Sequence, residues 1–398
     1  MCKKVGLIIW KLPMLKAYAP VMRELLAREV EIFLLVIPLP SGIVSRDLEG
    51  QTLTDFNEEF FQDKLRCLWC SGVDRFPNMI KDNSIDSLLI TDFYKDTFAG
   101  IIDELYRQKV EIFCLQWYAD LLALSGELLK YIKKIFVYSD YYTDIFIQSV
   151  FSDTKQTMDK LLVVGNPLYD CVVDIKNNKE LIYQKYHLPL DKKVVLMTTQ
   201  HLPYFASFGR IWLALRSAMK LDFDSFFKII FAPSFKQIFQ SIKKWCEDNE
   251  AILIVKSRAK HDEPNYVKKG ADIFLTDNSQ WYPAVSLELL SVANLCIGVW
   301  SASVIEAAYS EVYNITISPP SFSMPNDAPN NRFLNKELFA NRGVTECVRY
   351  DEVSSFLKSH RLKDFKMNEE NRKEYLAKFA GPTDGLASKR IVDYILNN

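Results

Sequence analysis

The sequence has no long apolar run and no excess of basic residues, and these two absences exclude two broad classes of protein. Apolar stretches such as 32–39 are too short to span a bilayer as a helix. The formal net charge of the 398 residues is −1, whereas proteins that follow nucleic-acid phosphates usually carry a basic excess. We therefore expect no transmembrane segment and no nucleic-acid partner. Peripheral contact with the inner face of a membrane, or with assembly partners, is left open.

The sequence also lacks the repeated cysteine pairs of zinc sites. Its eight cysteines are scattered, and the only close pair, Cys67-Leu-Trp-Cys70, has no second pair to complete a four-ligand site. Residues 1–10 contain a short apolar run that fits a buried strand better than a signal peptide. We expect a cytoplasmic protein with reduced thiols and no metal.

Three motifs with well-understood chemistry are absent as well. No GxGxxG opens the first helix, no GxxxxGK(S/T) occurs, and no GxSxG is present. These absences argue against dinucleotide binding, against a P-loop NTPase and against a hydrolase nucleophile elbow.

What the chain does contain is a regular alternation of apolar, strand-like runs with helical stretches, which is typical of parallel sheets covered by helices. The predicted strands are 4–10, 30–38, 87–91, 110–115, 135–138, 160–164, 194–198, 227–231, 251–256, 272–275, 295–299 and 313–317. A charged stretch with Pro189 interrupts the alternation, and 398 residues exceed what one core usually organises.

This pattern predicts an α/β fold with two Rossmann-like, doubly wound domains that face a central cleft. The predicted boundaries are 1–170 for an N-terminal domain, 171–193 for a linker, 194–350 for a C-terminal domain and 351–398 for helices that pack back across the domains. In such sheets, ligands bind beyond the carboxyl ends of the strands. Functional side chains are therefore expected in the segments that follow the strands.

One strand, 295–299, runs directly into a serine-rich turn and then into a helix. Backbone N–H groups at the start of the helix, together with the hydroxyls of Ser301 and Ser303, suit a phosphate. Glu306, one turn later, can accept hydrogen bonds from ribose hydroxyls. In the alternative interpretation, Ser303-x-x-Glu306 is a capping box that only closes the end of the helix.

A second group of polar residues follows the strand 251–256. Lys256, Arg258 and His261 suit charge-assisted contact with a phosphate or a carboxylate. A solvated basic loop would have the same composition, so this alternative stays open.

A third group follows the strand 194–198. Thr199 and Gln200 offer polar groups to a ligand, and His201 can act as a general acid or as a phosphate ligand. A single histidine beside a turn can also be incidental.

In the first half of the chain, two carboxylates lie at predicted strand ends. Asp92 or Asp120 can deprotonate an acceptor hydroxyl if its surroundings raise its pKa. Either residue can instead serve as a helix cap.

Three segments resemble a known group of proteins. They are Gly165-Asn-Pro-Leu-Tyr-Asp170, the block from Asp277-Asn-Ser-Gln-Trp-Tyr282 to Trp300-Ser-Ala-Ser-Val-Ile-Glu306, and the tail Phe379-Ala-Gly-Pro-Thr-Asp384-Gly-Leu-Ala-Ser388-Lys-Arg390. Together they are similar to GT-B proteins of the UDP-GlcNAc 2-epimerase-like and CDP-glycerol glycerophosphotransferase-like kinds. GT-B enzymes that use a cytidine-activated sugar acid such as Kdo fit about as well.

The resemblance implies a GT-B fold without an obligatory metal or cofactor, in which the C-terminal domain holds a nucleotide-activated donor and the N-terminal domain receives the acceptor. By position, Ser301, Ser303 and Glu306 would hold phosphate and ribose, with Lys256, Arg258 and His261 lining the same pocket. From their positions after predicted strands, and not from the resemblance, we expect Asp92 or Asp120 to be the base and His201 to assist departure of the nucleotide. The segment Lys260-His-Asp262 departs from the basic-His-Pro arrangement of glycerophosphotransferases, which argues against glycerol phosphate as the transferred group.

We therefore predict an enzyme, a GT-B glycosyltransferase. It would move a sugar from a nucleotide sugar, with CMP-Kdo slightly preferred, to a surface polysaccharide or lipid-linked glycan such as capsule, O-antigen or lipopolysaccharide. The alternatives are a UDP-GlcNAc 2-epimerase-like isomerase, a glycerophosphotransferase and a non-catalytic binding module.

Overall fold

The structure, a computed structural model, describes residues 3–10, 12–37, 56–58, 61–91, 95–116, 126–150, 158–199, 215, 218–219, 223, 233–257, 263–276, 282–299, 301–318 and 336–397. The chain divides into two compact units. Unit 1 comprises Met1–Cys171, Ser279–Ala284 and Ala377–Asn398, and unit 2 comprises Val172–Asn278 and Val285–Leu376.

The strands are numbered in chain order. They are β1 Lys4–Ile9, β2 Glu31–Val36, β3 Leu65–Trp69, β4 Ser87–Ile90, β5 Glu111–Leu115, β6 Ile132–Val137, β7 Leu161–Val163, β8 Lys193–Thr198, β9 Ala251–Ser257, β10 Ile273–Thr276, β11 Leu295–Val299, β12 Asn314–Ser318 and β13 Thr345–Arg349.

The helices are numbered in the same way. They are α1 Leu12–Ala27, α2 Phe76–Asp82, α3 Lys95–Arg107, α4 Asp140–Val150, α5 Val172–Asn177, α6 Lys179–Lys185, α7 Phe235–Asp248, α8 Asn265–Gly270, α9 Val285–Val292, α10 Ser303–Tyr309, α11 Lys336–Phe339, α12 Val353–Ser359, α13 Glu369–Phe379 and α14 Ala387–Asn397. Short 3-10 helices occur at Val73–Arg75, Gly126–Tyr131, Pro167–Tyr169 and Leu362–Asp364.

Unit 1 contains a parallel sheet in the order β3-β2-β1-β4-β5-β6-β7. Its central strands are apolar along most of their length, and β1, for example, is buried from Val5 to Ile9. Strands buried on both faces need apolar side chains in both directions, which explains the continuous apolar runs of the sequence. The last helix of the chain, α14, packs against α1 in this unit, and Arg28 forms a 3.0 Å ion pair with Asp393 beside that contact.

Two glycine turns join the C-terminal segment to the rest of unit 1. Gly165 and Gly381 both have left-handed backbones, with φ of 90° and 78°. A Cβ at Gly381 would lie 1.7 Å from the carbonyl oxygen of Tyr138, and one at Gly165 would lie 2.9 Å from that of Pro382. Only glycine allows backbones to approach this closely. Two of the segments that carry the family resemblance, 165–170 and 379–390, therefore meet in unit 1.

Unit 2 contains a second parallel sheet in the order β10-β9-β8-β11-β12-β13. Counted from its own first strand this is the order 3-2-1-4-5-6, and the chain changes direction across the sheet between β8 and β11. Successive residues of β8 point to opposite faces, so Val195 and Met197 join the core under α7 and α12, whereas Val194 and Leu196 join the core under α6, α9 and α10.

Residues 172–185, which fall within the predicted linker, form α5 and α6 of unit 2. The Nζ atom of Lys185 lies 2.8 Å and 3.0 Å from the two carboxylate oxygens of Glu288 in α9. The hydroxyl of Tyr186 donates to the same carboxylate at 2.6 Å. Lys176 pairs with Glu311, after α10, at 2.7 Å. These contacts fasten the segment to unit 2.

The α/β class and the two Rossmann-like units predicted from the sequence are confirmed. Among the described helices, none combines the length and the apolar composition needed to cross a bilayer.

Candidate functional site

The candidate site lies at the carboxyl edge of the unit 2 sheet, where the strand order reverses. Thr198, the last residue of β8, is in register with Gly298 of β11 on one side and with Lys256 of β9 on the other. Parallel strands all end at the same edge of a sheet, and ligands of doubly wound sheets bind where the order reverses. β8 and β9 are apolar runs that end in polar residues, Thr198 and Lys256-Ser257, and this places polar side chains at the edge.

A contact between two hydroxyls spans this point. The Oγ1 atom of Thr198 lies 3.3 Å from the Oγ atom of Ser303, and either can donate. Both side chains are buried. Ser301 precedes them in the turn after β11, is half-buried, and accepts a 3.3 Å hydrogen bond from the backbone N–H of Ser303. The turn itself reaches the surface at Ala302, which is exposed.

Gly298 makes room for this contact. A Cβ on Gly298 would lie 3.0 Å from Thr198 Oγ1 and 3.2 Å from Ser303 Oγ. Both distances are tighter than ordinary van der Waals contact, so a larger residue would push the two hydroxyls away. The glycine in β11 thus allows α10 to begin close to the end of β8.

The capping-box interpretation of Ser303-x-x-Glu306 is wrong. The N-cap of α10 is Ala302, whose side chain makes no capping hydrogen bond. Ser303 is the first residue of the helix, and its hydroxyl faces Thr198 rather than the backbone of its own first turn. Ser303 therefore contacts the end of β8 and does not cap the helix.

Buried polar side chains continue from this point across β12 and β13. The Nδ2 atom of Asn314 donates to Thr316 Oγ1 at 2.8 Å and to Thr345 Oγ1 at 3.0 Å. Thr345 in turn donates to the carbonyl oxygen of Phe339 at 3.3 Å. These hydrogen bonds link β12 to β13, but the buried Oδ1 atom of Asn314 has no hydrogen-bond partner among the described residues.

A second polar group lies on the other side of β8. Thr199 Oγ1 donates a 2.6 Å hydrogen bond to Glu263 Oε1, and Ser257 Oγ donates to the same oxygen at 3.2 Å. All three residues are buried, with exposed fractions of 5% for Thr199, 0% for Ser257 and 5% for Glu263. The hydroxyl of Thr199 therefore donates its proton in the hydrogen bond to Glu263.

Of the residues chosen from the sequence as donor-binding, five are described. Ser301 and Ser303 lie together at the turn, Lys256 is the next-to-last residue of β9 with only 9% of its surface exposed, and Thr199 is held by Glu263. Glu306 is half-buried in α10. The remaining choices, Gln200, Arg258 and His261 for the donor and Asp92, Asp120 and His201 for catalysis, lie outside the described residues.

Sequence reasoning missed three residues of this edge: Thr198, Ser257 and Glu263. Thr198 is the last residue of the predicted strand 194–198, and Ser257 directly follows the predicted strand 251–256. Glu263 lies shortly after the predicted strand 251–256 and directly before Pro264. A carboxylate so close to the end of a strand was the sequence signal that could have identified it.

Electrostatics argue against a nucleophilic role for Cys296, which lies near the start of β11. Burial raises the pKa of the Cys296 thiol, and the charge of Glu306 raises it further. A thiol so shifted stays protonated and weakly nucleophilic. In the part of the chain that the structure describes, no three His, Cys, Asp or Glu residues come together as metal ligands would.

Polar side chains also lie at the corresponding edge of the unit 1 sheet. Thr91 and Gln116, directly after β4 and β5, are fully buried. Gln116 Oε1 accepts a 2.9 Å hydrogen bond from the backbone N–H of Tyr138. These residues come immediately before the segments that contain Asp92 and Asp120.

Compared by sequence, the chain matches no protein-family model and no curated protein. Compared by structure, it is similar to UDP-GlcNAc 2-epimerase from Neisseria meningitidis bound to UDP-GlcNAc, with 15% identity, a TM-score of 0.56, and coverage of 99% of this chain and 100% of that chain. UDP-GlcNAc 2-epimerase from Methanocaldococcus jannaschii gives 12% identity, a TM-score of 0.59, and coverage of 99% and 100%.

The wall teichoic acid polymerase TagF is similar as well, with 12% identity, a TM-score of 0.58, and coverage of 99% of this chain and 88% of that chain. The similarity extends over nearly the whole chain in all three comparisons. The fold expected from the sequence segments is confirmed: this chain has the GT-B fold that UDP-GlcNAc 2-epimerases and TagF share.

Proposed function

We propose that this chain is a GT-B glycosyltransferase that takes a sugar from a nucleotide sugar and adds it to a surface polysaccharide or lipid-linked glycan. The observation that carries the proposal is the contact between Thr198 and Ser303, 3.3 Å apart where the strand order of unit 2 reverses. Hydroxyls at this point, beside a turn that reaches the surface, suit the phosphates of a nucleotide. A cytidine nucleotide such as CMP-Kdo is slightly preferred as the donor.

The leaving nucleotide is held by unit 2 in this proposal. Ser301 and Ser303 contact its phosphate oxygens, Glu306 accepts from its ribose, and Lys256 supplies positive charge. Thr199, Gln200, Arg258 and His261 line the same pocket. Positive and hydrogen-bonding groups fixed in advance stabilise the charge that develops on a departing phosphate, and this is often the largest contribution to catalysis.

The acceptor hydroxyl is activated from unit 1. Asp92 or Asp120 takes its proton as general base, and His201 assists the departing phosphate. No metal is required, because the basic side chains perform the charge neutralisation. Similarity to a UDP-GlcNAc 2-epimerase bound to UDP-GlcNAc supports a nucleotide sugar as the ligand.

A second candidate is a 2-epimerase-like isomerase, which needs no acceptor. The observation in its favour is that UDP-GlcNAc 2-epimerases match 99% of this chain at TM-scores of 0.56 and 0.59. Incubation of the purified protein with nucleotide sugars, with and without a glycan acceptor, separates the two reactions. Conversion without acceptor supports the isomerase, and release of free nucleotide that depends on the acceptor supports the transferase.

Two further alternatives are a glycerophosphotransferase and a non-catalytic binding module. The structural similarity to TagF supports the glycerophosphotransferase alternative. CDP-glycerol is the substrate that would test this alternative. Binding of a nucleotide without turnover on any acceptor would support the second.

The nucleotide site is tested by thermal unfolding with CMP, CDP, UDP or GDP present. A ligand that binds only the folded state raises Tm by mass action. We expect Ser303→Ala to reduce the shift, whereas Ser355→Ala, an exposed serine of the same unit, keeps it. Absence of any shift in the unaltered protein, or an equal shift in both variants, contradicts the proposal.

A further inference from the structure

Glu263 is a carboxylate that is almost completely buried at the carboxyl edge of the unit 2 sheet. Only 5% of its surface is exposed, and it forms no ion pair within the described residues. Burying a carboxylate without a cation costs free energy. The side chain is nevertheless held in place, because the hydroxyls of Thr199 and Ser257 both donate to it.

The hydrogen bonds that Glu263 accepts from described residues involve only one of its two carboxylate oxygens. A carboxylate can only accept hydrogen bonds, and each of its oxygens has two acceptor positions. Thr199 and Ser257 both donate to Oε1. Among the described residues, Oε2 has no hydrogen-bond partner. Oε1 is thus the anchor, and Oε2 is the atom available to a ligand.

Two consecutive residues at the end of β8 fix where Glu263 lies relative to the turn that contains Ser301. Thr198 contacts Ser303, and its neighbour Thr199 contacts Glu263. Side chains of consecutive residues leave an extended strand in opposite directions. The end of β8 therefore lies between the turn that contains Ser301 and the carboxylate of Glu263. A ligand that covers the end of this strand reaches both.

We infer that Thr199, Ser257 and Glu263 form a subsite that accepts hydrogen bonds from the nucleoside part of the nucleotide ligand. This inference rests on the proposed function, since it assumes that a nucleotide binds at the end of β8. A carboxylate repels a phosphate, so it selects an uncharged N–H or O–H group. Two parts of a nucleoside carry such groups: the base, through an exocyclic amino group or a ring N–H, and the ribose, through its hydroxyls.

The test is the nucleotide preference of Glu263→Gln. Glutamine keeps the shape of glutamate but replaces one acceptor oxygen by an amide that donates. Isothermal titration of CMP, UMP and 2′,3′-dideoxy-CMP against the unaltered protein and the variant measures the change. We expect Glu263→Gln to weaken CMP binding by about tenfold or more, as loss of a charge-assisted hydrogen bond does.

The three nucleotides distinguish the two sources of the hydrogen bond. If the carboxylate accepts from the cytosine amino group, CMP loses affinity and UMP does not. If it accepts from ribose, CMP and UMP both lose affinity, and 2′,3′-dideoxy-CMP does not. Both results support the inference, whereas affinities that stay within about twofold for all three nucleotides overturn it.

Two further variants cover the case in which Glu263→Gln does not fold. Thr199→Val and Ser257→Ala each remove one hydroxyl that anchors Oε1 while Glu263 stays in place. We expect each to weaken the same nucleotides by a few-fold, and Glu374→Gln, an exposed glutamate of unit 2, to change none of them. If circular dichroism shows that Glu263→Gln, Thr199→Val and Ser257→Ala all fail to fold, these three residues have a purely structural role and the inference is overturned.

Failure of the inference differs from failure of the proposed function. If the unaltered protein binds the nucleotides and Ser303→Ala weakens them, but the Glu263 variant does not, only the subsite is wrong. If the unaltered protein binds none of these nucleotides, the proposed function fails and the subsite fails with it.

Discussion

The side-chain carboxylate of Asp170 accepts a 2.7 Å hydrogen bond from the backbone N–H of Ser388, a residue 218 positions further along the chain. Its other oxygen accepts from the N–H of Ala387 at 3.1 Å. Ala387 opens α14, so Asp170 satisfies two N–H groups that the first turn of a helix leaves without partners. Burial raises the pKa of Asp170 from its ordinary value of 3.8.

Asp170→Ala is expected to lower the free energy of unfolding by about 1–3 kcal/mol, because two buried N–H groups lose their acceptor. A carboxyl group whose pKa is raised in the folded state contributes stability that is fully present below its ordinary pKa and is lost as pH rises through the folded-state pKa. The cost of the substitution should therefore be larger at about pH 4 than at about pH 7.

Urea unfolding across this pH range measures the difference between the unaltered protein and the variant. Asp159→Ala, at an exposed aspartate of the same unit, is the matched control and should change stability little. A cost that grows with pH would contradict the assigned shift.

Gly298→Ala tests the geometry of the candidate site. The added Cβ would press on Thr198 Oγ1 and Ser303 Oγ at 3.0 Å and 3.2 Å, so we expect about 1–3 kcal/mol of destabilisation and nucleotide binding about tenfold weaker. Titration calorimetry checks the affinity.

The control for that substitution is Gly6→Ala in β1 of unit 1. A Cβ there would lie 2.6 Å from Leu35 Cδ1 and 2.8 Å from Leu88 Cδ2. We expect this variant to lose stability while keeping its nucleotide affinity. Equal loss of affinity in both variants would mean that Gly298 acts only through stability.

Glu311 gives a prediction about acid unfolding. A hydrogen bond from Lys176, at 2.7 Å, lowers the pKa of Glu311 from its ordinary value of 4.5, and the charge of Arg372 acts in the same direction. A carboxylate with a lowered folded-state pKa stabilises above its ordinary pKa, and this contribution is lost as pH falls through the folded-state value.

Glu311→Gln should therefore make stability less dependent on pH below about 4.5. The effect should be modest, because solvent screens a half-exposed ion pair. Denaturant unfolding at decreasing pH measures it, with Glu250→Gln, at an exposed glutamate, as the control. Parallel acid profiles for all three proteins would show that the pair contributes nothing.

The proposed division of labour between the units predicts different effects for catalytic and binding residues. Asp92→Asn and Asp120→Asn should each leave the nucleotide-dependent rise in Tm unchanged, and the one at the true base should lower kcat by about 100-fold or more. Asp82→Asn, at an exposed aspartate, serves as the control. If neither substitution affects kcat, the base lies elsewhere.

Sequence reasoning located most strands correctly because each central strand is a continuous apolar run. The strand 295–299 was predicted with the bounds that β11 has in the structure, and 87–91 differs from β4 by one residue. It missed β3 and β13, where exposed residues interrupt the pattern: in β3, Arg66 is exposed and Trp69 is 48% exposed. β3 and β13 are the outermost strands at one end of their sheets, and strands at an edge need less apolar surface.

The sequence by itself determined the α/β class and the two units, and it placed Ser301 and Ser303 in a turn directly after a strand, because apolar periodicity and turn composition are local properties. Only the tertiary structure decided the strand order, and with it the meeting of Thr198 with Ser303 over 105 residues and of Thr199 with Glu263 over 64. Such pairs depend on which strands lie side by side. The order of strands in a sheet is set by the packing of whole helices and strands, so the spacing of residues along the chain does not predict it.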